Sequence, residues 1–196
     1  MNASVALRAV DALLLVDVQN DFLPGGALPV AAGGRVVAAA NAWLERFRLQ
    51  GLPVYASRDW HPQNHCSFQA QGGPWPPHCV AGTTGADFPD DLRLPDHVVV
   101  VDKAKASDRD AYSAFEGTEL DRLFKAKGVA RLFIGGLATD YCVLRTVLDA
   151  LRLDYAVFVL TDAIAAVNVR PGDEAKALAA MCEAGAVAIT IHDLVG

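Results

Sequence analysis

Short, solid apolar runs alternate along this chain with longer segments in which apolar residues recur every three or four positions. Ala12–Val16 (ALLLV) is a solid run that ends at an aspartate. Between Arg35 and Leu49, residues Val36, Ala39, Ala40, Trp43, Leu44 and Phe47 fall at helical spacing, which predicts an amphipathic helix. Gly51-Leu52-Pro53 stops it, and Val54–Ser57 reads as the second strand. The same reading places strands at His97–Val101, Val129–Ile134, Tyr155–Leu160 and Ala186–Thr190. It places helices at Thr118–Lys127, Thr139–Arg152 and Asp173–Ala184. Strands that are apolar throughout, rather than alternating, are buried on both faces. Strands of that kind interleaved with helices predict an α/β fold: a three-layer α/β/α sandwich around a central six-stranded, mainly parallel sheet. No repeat, low-complexity tract or linker interrupts the pattern, so residues 1–196 read as a single domain.

Composition narrows the class. Hydrophobic residues make up 53% and charged residues 20%, enough apolar surface for a core and too much for disorder. A net charge of −6 argues against a general nucleic-acid binder or a polybasic membrane docker. No stretch reaches the roughly 20 apolar residues that span a bilayer, and the N-terminal segment does not read as a secretory leader. Cys66, Cys79, Cys142 and Cys182 are scattered without a C-x-x-C pair, the usage of reduced thiols. The expectation is a soluble cytoplasmic protein with a small-molecule partner and no nucleic-acid or membrane partner. Whether it forms a homo-oligomer is open, because Trp43, Phe47 and the last strand suit either a core or an interface.

In open α/β sheets, ligands bind beyond the carboxyl ends of the strands. Strand one ends at Asp17, strand two runs into Arg58-Asp59-Trp60-His61, and strand three runs into Asp102-Lys103. Strand four ends at Gly135-Gly136, with Cys142 in the first turn of the following helix. A thiol at a helix N-terminus feels the positive end of the dipole, which favours the attacking thiolate. Backbone N–H groups of that turn are available to an oxyanion. The plain alternative for Cys142 is a small buried hydrophobe. Asp59-x-His61 puts a carboxylate and an imidazole on one side of an extended segment, where both can ligate one metal, with His65 or His78 as a third ligand. Such a mixed oxygen/nitrogen set suits Zn, Mn, Fe or Co. The stretch from Arg58 to Pro95 is long, irregular and rich in Pro, Gly, His and Trp, which marks a functional loop.

Five segments together resemble the motif blocks of nicotinamidase/pyrazinamidase, a branch of the isochorismatase-like cysteine hydrolases. They are VDVQNDFLPGGAL (16–28), SRDWHPQNHCSF (57–68), GGPWPPHCVAGTTGADF (72–88), DKAKASDRDAYSAFEGT (102–118) and GGLATDYCV (135–143). The resemblance implies a catalytic triad of Asp17 as base, Lys103 and Cys142 as nucleophile. Lys105 competes for the lysine position; Lys103, directly after the strand, is chosen. The resemblance implies one divalent metal ion (Zn, Fe or Mn) on Asp59, His61 and His78, with His65 as a further candidate. It implies a ring pocket of Phe22, Trp75, Tyr112 and Leu137, and oxyanion-hole N–H groups from Ala138 and Cys142. A non-proline cis peptide is expected at Leu137-Ala138. The implied activity is conversion of nicotinamide to nicotinate and ammonia, and of pyrazinamide to pyrazinoate, in NAD salvage. Isochorismate-cleaving relatives lack the cysteine and the metal loop. A dinucleotide binder is disfavoured because no G-x-G-x-x-G follows strand one.

Overall fold

The computed structural model describes residues 4–195, so the outermost ends of the 1–196 domain assignment lie outside the described residues. Six strands are β1 (Asp11–Val16), β2 (Val54–Asp59), β3 (Val99–Lys103), β4 (Arg131–Leu137), β5 (Ala156–Ala165) and β6 (Val187–Ile189). Four helices are α1 (Gly33–Leu49), α2 (Leu120–Ala126), α3 (Leu144–Arg152) and α4 (Asp173–Glu183). The strands form one sheet in the order β3-β2-β1-β4-β5-β6, and every pairing is parallel. The chain therefore winds outward from β1 on one side, returns to the centre at β4, and winds outward on the other. The gap beyond the ends of β1 and β4 is the topological switch point.

All six residues of β1 are buried because the sheet is covered on both faces. Successive side chains point to opposite faces. Leu13 and Leu15 join Trp43, Phe47 and Phe133 in the layer under α1. Leu14 and Val16 join Phe124, Leu132, Ile134 and Val147 in the layer under α2, α3 and α4. Trp43 and Phe47 are thus core, not interface. Trp43 also donates its indole N–H to Asp162 at 3.0 Å, so the largest side chain of that layer is satisfied as well as buried.

Several boundaries differ from the sequence reading. The third strand starts at Val99, two residues after His97, and continues through Asp102 to Lys103. β4 runs on to Leu137 and β5 to Ala165, past residues that looked like loop. The segment 139–143 is a wide π-helical turn, and α3 begins only at Leu144. Cys142 is therefore not in the first turn of a regular α-helix. Turns of this kind recur at functional sites.

Candidate active site

Asp17 is the first residue past β1 and adopts a left-handed φ of 50°. Its N–H still donates to the Ser57 carbonyl at 3.1 Å, closing the last rung of the β1–β2 ladder. Ser57 returns a hydroxyl hydrogen bond to Asp17 Oδ1 at 2.7 Å. Lys103, the last residue of β3, reaches across β2. Its Nζ lies 3.0 Å from Asp17 Oδ2 and 2.5 Å from Asp59 Oδ1. It also donates to the Ala111 carbonyl at 2.9 Å and lies 3.6 Å from Cys142 Sγ. The Asp17, Asp59 and Cys142 ligand atoms all lie within 4.8 Å of one another. Lys105 is exposed, on a surface concavity shared with Arg109 and Glu116, and takes no part.

Each of these groups is fully enclosed, so burial and charge compete. For Lys103, burial acts to lower the pKa, but Asp17 and Asp59 more than offset it and hold the ammonium well above its usual value. Burial would raise Asp59; Lys103 and His61 reverse this and keep it ionised, far below the carboxylate range. Asp17 is raised, chiefly by burial, with Lys103 opposing. Cys142 is raised well above a free thiol because burial and the two carboxylates outweigh Lys103. The helix-end reading, in which the dipole favours thiolate, is outweighed here: desolvation dominates and raises the thiol, and the Asp17 carboxylate stands beside it to take its proton.

Asp59, His61 and His78 are buried with ligand atoms within 4.8 Å of one another. His61 holds its Nδ1 3.3 Å from the Ala104 carbonyl, and His78 holds its Nδ1 2.8 Å from the Pro76 carbonyl. Anchoring Nδ1 on a carbonyl fixes the tautomer and leaves Nε2 as the free lone pair, the arrangement of a metal-ligating imidazole. Burial lowers the His78 pKa, which keeps it neutral as ligation requires. A carboxylate and two imidazoles converging in a buried space fit a divalent ion. His65 is different. Its Nδ1 pairs with Ser67 Oγ at 2.8 Å and its Nε2 with the Arg109 carbonyl at 3.2 Å, so both nitrogens are engaged. It stacks on His61 with ring centroids 4.1 Å apart and acts as a wall behind the trio.

Beside the trio a slot is lined by Phe22, Leu28, Asp59, Trp75, His78, Tyr112, Ala138, Tyr141, Cys142 and Val167. Trp75 donates its indole N–H to Tyr112 Oη at 3.1 Å and meets Tyr141 edge-on at 5.3 Å. Leu137 does not line the slot. Its side chain is fully buried in the layer under α1, because alternation along β4 turns it from the site. The Leu137-Ala138 peptide is cis, and Ala138, the next residue, faces the slot.

The sequence reading missed Tyr141, Leu28 and Val167 as slot walls, and Phe68 at the centre of the histidines. Phe68 packs against His61, His65 and His78 with centroids 5.5, 5.7 and 5.5 Å away. It missed Ser57 as the partner of Asp17, although a serine opposite a strand-end aspartate in a paired strand was the available signal.

An isochorismatase domain model matches residues 11–193 of the chain. The chain belongs to the isochorismatase family. Within that family it is 41% identical to a nicotinamidase of Escherichia coli, covering 93% of this chain and 95% of the relative. It superposes on the pyrazinamidase of Pyrococcus horikoshii in complex with zinc with a TM-score of 0.89 and 44% identity, over 93% of this chain and 99% of that one. It superposes on the PnC1 protein of L. infantum in complex with nicotinate with a TM-score of 0.90 and 36% identity, over 97% and 98%. Among the described residues, no helix is long and apolar enough to cross a membrane.

Proposed function

We propose that this chain is a metal-dependent cysteine amidohydrolase that converts nicotinamide to nicotinate and ammonia, and pyrazinamide to pyrazinoate, serving NAD salvage in the cytoplasm. The carrying observation is the convergence of Asp17, Lys103 and the Cys142 thiol on one buried cluster, next to a ligand trio at the floor of an aromatic slot. The relatives' activities support the amide substrate.

Asp59, His61 and His78 would hold the ion. When bound, it supplies a Lewis-acidic anchor for the ring nitrogen of the substrate. Phe22, Trp75 and Tyr112, joined by Tyr141, sandwich the flat ring and exclude water. Asp17 takes the Cys142 proton as sulfur bonds to the carboxamide carbon. The N–H groups of Ala138 and Cys142 receive the oxyanion, each good donor contributing about 3 kcal/mol. Asp17 returns the proton to nitrogen, the C–N bond breaks, and ammonia leaves a thioester. Water then gives a proton to Asp17 and bonds through oxygen to the acyl carbon; the C–S bond breaks, Asp17 returns the proton to sulfur, and the acid departs. Lys103 balances the two carboxylates through the cycle and holds Asp17 aimed at sulfur.

Ammonia release from nicotinamide by the zinc-loaded protein tests the reading. Cys142→Ala should retain zinc and release no ammonia. Wild-type protein that binds nicotinamide but leaves it intact, or a Cys142→Ala variant turning over at the wild-type rate, would overturn it.

A further inference from the structure

Between the base and Phe22 stand three polar residues with no part in the chemistry above, and all three side chains are committed to the backbone of neighbouring segments. Gln19 is fully buried. Its Oε1 accepts the Asp59 N–H at 2.8 Å, and its Nε2 donates to the carbonyls of Asp59 at 2.8 Å and Ala86 at 2.9 Å. Asn20 Nδ2 donates to the Thr84 carbonyl at 2.8 Å. Asp21 accepts the Cys79 N–H on Oδ2 at 2.7 Å and the Ala27 N–H on Oδ1 at 3.1 Å. Gly85 lies so close to the Asp21 carboxylate that a Cβ there would overlap it.

We propose that Gln19 and Asp21 are positioning residues for the metal centre: Gln19 fixes the main chain of Asp59, and Asp21 fixes Cys79, adjacent to His78. The inference rests on the metal-dependent reading above. On the β1 side, the backbone ladder of β2 ends with the Ser57 carbonyl, two residues before Asp59. The Gln19 amide takes over there as a side-chain rung, supplying both a donor and an acceptor to one residue. Only a primary amide does this; a carboxylate of the same shape would face two carbonyls with no proton to give. Asp21 has the converse requirement, since it accepts from two N–H groups on different segments through different oxygens. An Asn offers one acceptor and must release one of them. The loop that begins at Asp17 thus sets the distance between base and metal site, because both are hung from it.

The test compares zinc-free full-length protein with Gln19→Glu, Gln19→Met and Asp21→Asn, and with His61→Ala as the ligand-loss control. Zinc affinity is read by chelator competition, site geometry by the visible spectrum of the cobalt(II)-loaded forms, and folding by thermal melting of the zinc-free proteins. Gln19→Glu and Asp21→Asn should each weaken zinc about 10–100-fold and alter the cobalt bands, with saturating zinc recovering part of kcat. Gln19→Met removes the amide without adding charge and should weaken zinc similarly. Should the buried charge of Gln19→Glu prevent folding, Gln19→Met and the half-exposed Asp21→Asn decide the matter. Folded variants with wild-type zinc affinity and cobalt bands overturn the proposal, even if their melting temperatures fall. If wild-type protein binds zinc no better than His61→Ala, the metal reading fails and this inference falls with it.

Discussion

Lys103 shows how much one side chain can settle. Its ammonium is sealed from water and touches both Asp17 and Asp59, so it joins the base to the metal trio in a single charge cluster. A buried ion pair stabilises little when intact, but removing one partner strands the other in a low dielectric. Lys103→Gln strands two carboxylates. It should lower stability by about 3–5 kcal/mol in urea denaturation and abolish ammonia release. Lys105→Ala should change neither, since that side chain is in solvent and contacts none of the triad. A Lys105→Ala variant with lost turnover would move the lysine assignment two residues along.

At the level of elements, the site depends on how closely β1 and β4 approach at their carboxyl ends. Val16 pairs with Gly136, and the register of β4 against β5 shifts between Ile134 and Gly136. Gly136 has φ 126°, and a Cβ on it would run into the Val16 backbone. Only glycine permits the two strands to close there, and their closure delivers Ala138 and Cys142 to Asp17. Gly136→Ala should therefore destabilise by about 4 kcal/mol or more, or fail to fold, in thermal melts followed by circular dichroism. Gly135→Ala should be milder, because its added carbon would meet the Ala163 carbonyl at 3.1 Å and has an ordinary φ. The reverse order would show that strand closure at Gly136 is not the constraint.

For the whole molecule, the far side of the sheet from α1 carries a pH dependence of its own. Tyr155 is buried and donates to Asp121 Oδ1 at 2.8 Å, tying the start of β5 to α2. Burial first, and then that carboxylate, push the phenol above its usual value near 10. The folded protein keeps this proton where the unfolded chain releases it. The contribution is therefore complete below about pH 10 and is lost as the pH rises towards the folded value. Tyr155→Phe should melt lower than wild type at pH 8, by the loss of one hydrogen bond of about 1 kcal/mol. The gap should narrow in melts taken above pH 10. A gap that stays constant to pH 11 would mean the phenol does not titrate in the unfolded chain as supposed.

Local pattern alone carried the layer order, the parallel sheet and the residue types at the strand ends, because burial on two faces leaves a continuous apolar signature and catalysis at a switch point leaves polar residues just after it. Asp17, Asp59, His61, Lys103 and Cys142 stood out in that way, while His78 was chosen over His65 only through the motif resemblance; the tertiary structure brings the six together. What local pattern could not carry were properties that arise between segments. His65 and His78 look alike along the chain; only the fold shows Ser67 and Arg109 engaging both nitrogens of one, and Pro76 leaving a nitrogen of the other free. Leu137 and Ala138 are neighbours and both join the layer under α1, and only the fold shows that Ala138 also lines the slot while Leu137 does not. The helix-end reading of Cys142 met the same limit. A helix end is a local feature, whereas desolvation by surrounding strands is not, and in a fully enclosed site desolvation is the larger effect.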